Sequence, residues 1–110
     1  MTSFPLPGTG RTAVAVAAPG KGVTRWAGSP AAALDADGTF FVAYRIRIGK
    51  PPEGRAATVV ARSEDGERLA TVATLDMDRF GAFSIERPAI VRTESGRWRL
   101  PSSPATSTWP

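Results

Sequence analysis

The chain of 110 residues is long enough for one domain, and 42% of its residues are hydrophobic, as in ordinary folded proteins. It contains no cysteine and no histidine, which excludes disulfide bonds, thiol chemistry, Cys/His metal sites and histidine-based catalytic triads. We therefore expect neither a metal nor a cofactor. Any catalysis would depend on carboxylates, hydroxyls, lysine, tyrosine or backbone groups.

The net charge of +4 results from 14 basic and 10 acidic residues. The arginines alternate with apolar residues, as in the segment 45–48, and form no contiguous basic stripe of the kind that binds nucleic acid. No apolar run is long enough for a membrane span, and the first residues lack the layout of a signal peptide. We therefore expect a cytoplasmic protein that binds neither nucleic acid nor a membrane.

The 11 glycines and 10 prolines favour short strands and turns over long helices. Residues 1–24 are predicted to form an N-terminal arm with one short strand at 12–17. Residues 25–80 are predicted to form a four-stranded antiparallel unit. Its strands are expected at 31–34, 40–48, 57–62 and 69–75, with tight turns at 35–38 and 63–66 and a connector of about one helical turn at 76–81.

One sequence pattern occurs twice. Residues 30–42 and 88–100 share a proline, an alanine, a turn glycine and a following aromatic residue, and matched positions are 58 apart (88 − 30, 96 − 38). Each copy has the pattern of a strand, a tight turn and a second strand. A repeat that holds about four strands per period is typical of β-propeller blades. We therefore predict an all-β propeller fragment, in which residues 25–80 are the first blade and residues 81–100 start a second blade.

The repeat is expected to end at Leu100. The first copy continues as a strand, whereas residues 101–110 contain three prolines, which donate no hydrogen bonds to a sheet. Residues 101–110 are therefore predicted to form an irregular Pro/Ser-rich tail. We interpret this tail as the result of truncation or of a shifted reading frame in a fold that once continued, with a natural terminal loop as the alternative.

Five segments occur in a recognisable order. They are Trp-Ala-Gly-Ser-Pro at 26–30, Asp-Gly-Thr-Phe-Phe-Val-Ala-Tyr-Arg at 37–45, Ala-Arg-Ser-Glu-Asp-Gly at 61–66, Glu-Arg-Pro-Ala-Ile-Val at 86–91 and Gly-Arg-Trp-Arg-Leu at 96–100. Together they resemble the start of a five-bladed β-propeller of the glycoside-hydrolase type, as in the β-fructosidase and arabinanase-like enzymes. The resemblance implies a propeller fold and a carbohydrate ligand.

The resemblance also implies where a site would lie, because in these families an acidic residue near a proline opens each of the first two blades. Residues 28–30 read Gly-Ser-Pro, so the first carboxylate is absent and Ser29 is a candidate for substrate binding. Residues 86–88 read Glu-Arg-Pro, which makes Glu86 the candidate catalytic carboxylate and Arg87 a candidate for binding a hydroxyl or carboxylate group. The alternative is that Glu86 and Arg87 only pair or pack at a strand entrance.

Trp26 lies in a loop-like entry before the first strand and is the candidate ring on which a sugar stacks. Phe40 and Trp98 occupy equivalent positions of the repeat, which favours a packing role for both. Asp76 and Asp78 have the spacing of the first ligands of a calcium loop, but no acidic residue closes such a loop, so no metal is expected there.

These observations predict a protein that binds carbohydrate in its full-length form. We expect no catalytic activity from the chain alone, because glycoside hydrolysis needs two carboxylates across the sugar. The alternative is a non-catalytic β-sheet module that associates with a partner or with itself through unpaired sheet edges.

Overall fold

A computed structural model describes residues 10, 12–50, 53–82, 84–101 and 104–105. In this part of the chain the secondary structure is eight strands and one turn of 3-10 helix at Met77–Phe80. The strands are β1 (Arg25–Leu34), β2 (Phe40–Ile48), β3 (Arg55–Ser63), β4 (Ala70–Asp76), β5 (Ser84–Ile85), β6 (Val91–Arg92), β7 (Trp98–Arg99) and β8 (Pro104–Ala105). No helix among the described residues is long and apolar enough to cross a membrane.

The main sheet contains β1, β2, β3 and β4 in that order, and every neighbouring pair is antiparallel. This confirms the predicted all-β fold class and the four-stranded antiparallel sheet. β2 has the expected bounds, whereas β1 begins at Arg25 rather than at residue 31. The extension arises because residues 25–28 also pair with β2, on the far side of a bulge between Gly28 and Ala31.

The strand predicted at 12–17 is wrong, because these residues join no sheet. Val16 instead packs against the face of the main sheet, beside a buried cluster that contains Tyr44. Val14, two residues earlier, is 84% exposed. The alternation of small apolar residues fits a strand, but a strand also needs a sheet edge with which to pair.

The two faces of the main sheet are covered by different segments. We call face A the side that carries Val42, Tyr44 and Val59, and face B the side that carries Phe41 and Ala43, since side chains alternate along each strand. Face A has a buried cluster of Tyr44, Val59 and Ala61, with the partly buried residues Val16, Ala27, Val42, Ile46 and Leu69 around it. Face B is covered by residue 82 and residues of the segment 84–100, as shown below.

The short sheets β5–β8 and β6–β7 together reproduce the pairing of the first hairpin, β1–β2, at a separation of 58 residues. The matched partner pairs are 26–47 with 84–105, 27–46 with 85–104, 33–41 with 91–99, and 34–40 with 92–98. We call residues 84–105 the second hairpin. Its strand pairs have the same register as the first hairpin on both sides of the bulge.

The turns of the two hairpins are also equivalent. In each turn the first residue donates its N–H to the carbonyl of the fifth residue at 2.7 Å, from 35 to 39 and from 93 to 97. Gly38 and Gly96 lie at φ 87° and φ 83°, a conformation that residues with a Cβ adopt at a cost. This explains why both copies of the repeat carry glycine at this position.

The prediction of an irregular tail is wrong at 104–105, which form β8. Residue 101 belongs to no strand, but a hydrogen bond ties it to the second hairpin. Ala89 donates its N–H to the carbonyl of Pro101 at 3.0 Å, and Pro104 lies opposite Ile85. The pair Ile85–Pro104 is the equivalent of Ala27–Ile46 in the first hairpin. Gly49 donates its N–H to the carbonyl of Thr24, so 24–49 is a hydrogen-bonded pair of this ladder. Hydrogen-bonded and non-hydrogen-bonded pairs alternate, which makes 27–46, three pairs further along, a pair without mutual hydrogen bonds.

A proline at the position of Pro104 therefore removes no bond from the hairpin, and at Pro101 the carbonyl still accepts its bond. Residues 102–103 and 106–110 of the predicted tail lie outside the described residues. The repeat thus extends beyond Leu100, its expected last residue.

The second hairpin stacks on face B of the main sheet. The ring centroids of Phe41 and Trp98 are 4.6 Å apart, and Ile85 is fully buried beside Ala56 of β3. Trp98 and Ile85 are the equivalents of Phe40 and Ala27, which belong to face A of the first hairpin. The second hairpin therefore contacts the sheet through the side that corresponds to face A, so the two repeats stack head to tail rather than symmetrically.

Candidate functional site

The bulged end of β1 brings the predicted site residues together with one that the sequence did not single out. Trp26 lies on β1 and Arg45 on β2, and both belong to face B. The guanidinium carbon of Arg45 is 5.1 Å from the centroid of the Trp26 ring. This distance is within the range of a cation–π contact, which holds both side chains in place.

Glu86 and Arg87 lie close enough to act electrostatically on Arg45. Partial burial lowers the pKa of the Arg45 guanidinium, the charge of Glu86 raises it, and the charges of Arg47 and Arg87 lower it. The guanidinium nevertheless stays protonated at every physiological pH. With Arg45 itself included, the charges that act on one another here are those of three arginines and one carboxylate. We call Trp26, Ser29, Arg45, Arg47, Glu86 and Arg87 the entrance site.

Ser29 occupies the β-bulge of β1. Its φ of 51° makes it the only non-glycine residue with positive φ among the described residues. Such strained positions persist where the surrounding structure holds them, and they occur often near functional sites. The preceding residue, Gly28, pairs directly with Arg45, so the bulge adjoins the entrance site. The sequence analysis places Ser29 at the site but does not predict the bulge.

The repeat relates the two halves of the site. Glu86 and Arg87 are the equivalents of Gly28 and Ser29 (86 − 28 and 87 − 29 both give 58). The same position in two successive hairpins thus supplies different chemistry. The first hairpin has a small, strained Gly-Ser segment there, and the second has one acidic and one basic side chain. Glu86 and Arg87 are both exposed, so neither is confined to a packing role.

Two buried polar atoms at the site lack a hydrogen-bond partner in the described part of the chain. They are Nε of Arg45 and Oγ1 of Thr58, and these two residues lie directly opposite each other on β2 and β3. Thr58 is only 1% exposed. Unpaired buried groups cost stability and call for a water molecule or a ligand group. Alternation along β2 puts Arg45 on the same face as Ala43, which is fully buried in the structure.

The acidic residues of the tight turns have structural roles. The side-chain and backbone hydrogen bonds from Thr39 hold the pKa of the Asp37 carboxyl below its ordinary value of 3.8. The backbone N–H groups of Arg68 and Glu67 do the same for the pKa of Asp65. Both carboxylates satisfy backbone donors of their own turns.

The described residues contain no group of three or more His, Cys, Asp or Glu side chains that could hold a metal. Asp78, one of the two acidic residues with calcium-loop spacing, forms an ion pair with Arg55 instead. A cleft of about 490 Å³ lies at the β3–β4 turn, between Arg62, Asp65 and Arg68. None of the predicted site residues lines this cleft, and the oxygens of Asp65 already accept bonds within the turn.

No family model, curated protein or solved structure matches the chain. We therefore infer the chemistry of the entrance site from its own side chains. It offers one aromatic ring, a partly buried guanidinium, two further arginines and one carboxylate. This set can bind a polar ligand that also has an apolar surface.

Proposed function

We propose that the chain forms part of a β-propeller that binds carbohydrate at the entrance site. One observation carries the proposal: Trp26 contacts Arg45, while Glu86 and Arg87 act on the same guanidinium from the next hairpin. Sugars need this combination, because their C–H faces stack on aromatic rings and their hydroxyls bond to charged side chains.

The arrangement of the repeats supports the propeller part of the proposal. Blades of a propeller are four-stranded antiparallel sheets whose strands follow in chain order, and successive blades pack face to face around a channel. The main sheet has this strand order, and the second hairpin stacks on it in the same direction that a further blade takes. In such a ring the first strands of all blades line the channel, where the entrance site then lies.

The charge of the entrance site favours acidic sugars as the ligand class. Arg45, Arg47 and Arg87 outnumber Glu86 and can bind a carboxylate through planar, charge-assisted hydrogen bonds. A uronic acid offers such a carboxylate together with the C–H face that stacks on Trp26. We therefore propose binding of uronic-acid oligosaccharides over neutral ones.

Hydrolysis is not part of the proposal for this chain. Glycoside hydrolysis requires two carboxyl groups, about 5–5.5 Å apart for retention or about 6.5–9.5 Å for inversion. Glu86 is the one carboxylate whose charge acts on Arg45 among the described residues. We expect binding without turnover, and turnover that Glu86→Gln abolishes would contradict this.

Calorimetric titration with oligogalacturonate and with a neutral galacto-oligosaccharide tests the proposal. We expect the acidic ligand to bind and Arg45→Gln to weaken it by about 10- to 100-fold, the loss of one charged hydrogen-bond contact. Trp26→Ala should weaken both sugars. Arg97→Gln, an exposed arginine in the turn of the second hairpin, is the matched control and should bind normally. Failure of both sugars to bind the folded protein would refute the proposed function.

A further inference from the structure

The main sheet exposes apolar side chains on the face that the second hairpin does not cover. Leu34 and Phe40 lie opposite each other at one end of face A and are 61% and 36% exposed. Ile48, at the far end of the same face, is also 36% exposed. Across the molecule, Val91 is 50% exposed on the outer side of the second hairpin, the side that corresponds to face B. The two ends of the stack therefore both present uncovered apolar groups.

The stacking inside the chain shows which surfaces fit each other. The face-A side of the second hairpin packs on face B of the main sheet, through Trp98 on Phe41 and Ile85 beside Ala56. Among the described residues, part of face A at one end and the outer, face-B side of the second hairpin at the other are thus left uncovered. Contacts of this head-to-tail kind are heterologous, and they can continue from one molecule to the next.

We propose that face A of the main sheet binds the outer side of the second hairpin of a second copy of this chain. The repeat specifies the central contact. Phe40 is the equivalent of Trp98, and Arg99 is the equivalent of Phe41 (98 − 40 and 99 − 41 both give 58). Arg99 of the second copy therefore lies over Phe40, where a guanidinium on an aromatic ring replaces the aromatic pair inside the chain.

Residues of the N-terminal arm lie on part of the same face. Ala15 and Val16 line a shallow apolar groove with Ala27 and Val42. Ala27 and Val42 are the equivalents of Ile85 and Leu100, both of which lie against the main sheet within the chain. The arm and the second copy thus compete for these positions, and association grows with protein concentration and with removal of residues 1–20.

This association uses sheet faces rather than unpaired sheet edges. It also lies on the opposite side of the sheet from Trp26 and Arg45, which belong to face B. The inference does not rest on carbohydrate binding, and either can fail without the other.

Two complementary variants test the proposal, one on face A of the main sheet (the head) and one on the outer side of the second hairpin (the tail). Phe40→Arg blocks the head by placing like charge against Arg99. Arg99→Gln blocks the tail by removing the cation without adding a negative charge that would attract the arginine of the head variant. Sedimentation equilibrium from micromolar to millimolar concentration should show wild-type mass rising above the monomer and each variant remaining monomeric. A mixture of the two variants should form dimers and nothing larger, because each variant keeps one intact surface. Val23→Arg adds the same charge at a 94% exposed valine outside the sheet and should behave as wild type.

Leu34→Arg serves as a second head variant, since Leu34 is more exposed than Phe40 and its replacement disturbs less packing. Circular dichroism confirms that each variant is folded. A wild-type protein that stays monomeric at millimolar concentration, before and after removal of residues 1–20, would overturn the proposal. So would wild-type association that the head and tail variants leave unchanged, which would point to pairing of sheet edges.

Discussion

Substitution of Ile85 by alanine tests whether the second hairpin is part of the folded core. Ile85 is fully buried beside Ala56, Met77 and Ala82. The change removes three buried carbon atoms, worth about 0.8 kcal/mol each, or about 2.4 kcal/mol in total. A cavity adds to this loss, although the flexible Met77 side chain can fill part of it, and we expect a total of about 3 kcal/mol.

A loss of this size is large beside the roughly 5–15 kcal/mol that stabilises most domains. Urea unfolding followed by tryptophan fluorescence measures it as a lower midpoint with an unchanged slope, and the melting temperature should fall by roughly 10–20 °C. Val91→Ala is the control in the same hairpin, and since Val91 is 50% exposed it should cost less than about 1 kcal/mol. Equal midpoints for the two variants would refute the packing of residues 84–105 on face B.

Two further predictions concern polar groups. Asp37 and Asp65 have lowered pKa values, so each stabilises the fold above its ordinary value of 3.8, and this contribution disappears as the pH falls through the lower pKa of the folded state. In a pH series of urea midpoints, Asp65→Asn should be less stable than wild type at pH 7, and the difference should shrink below about pH 4; a constant difference would contradict the hydrogen-bond assignment. Thr58→Val removes the unpaired buried hydroxyl at constant shape and should raise the free energy of unfolding by about 1 kcal/mol, whereas a loss would show that the hydroxyl has a partner.

The main sheet was largely predictable from local sequence signals. A glycine that ends a short acidic segment predicted the turn at Gly38. The alternation of apolar residues after it predicted the correct bounds of β2. The first six residues of β1 were not predicted. Residues 25–28 precede the bulge at Ser29, and no local pattern shows that one strand continues across such a break.

The prolines show why local signals failed in the second hairpin. A proline breaks a sheet only where its missing N–H is needed. In an antiparallel pair, residues that exchange hydrogen bonds alternate with residues that do not, so the effect of a proline depends on which kind of pair it joins. The pair at Pro104 is the equivalent, 58 residues later, of a pair in the first hairpin, and its kind is known only once this register is known. The prediction of a strand at 12–17 failed because a local pattern cannot show whether a partner strand exists. The pattern fits a strand, but no sheet edge pairs with these residues.

Three residues of the entrance site besides Ser29 were singled out from the sequence. Trp26 was chosen as an aromatic ring at a loop-like entry, and Glu86 and Arg87 follow from the resemblance to the glycoside-hydrolase propellers. All three act on or contact Arg45 in the structure. Arg45 itself was not distinguished in the sequence from the other arginines that alternate with apolar residues along a strand. Its burial depends on the second hairpin stacking on face B, a tertiary contact that the strand pattern does not contain.

A double-mutant cycle between Phe41 and Trp98 tests the head-to-tail stacking of the repeats most directly. The two rings belong to different hairpins and lie 4.6 Å apart, so Phe41→Leu and Trp98→Leu should show a coupling free energy of about 0.5–1.5 kcal/mol in urea unfolding. Val91 lies on the outer side of the same hairpin and is 50% exposed, so a cycle between Phe41→Leu and Val91→Ala should show no coupling beyond error. Coupling of Phe41 to Val91 instead of Trp98 would contradict the account, because it would mean that the second hairpin presents its opposite side to the sheet.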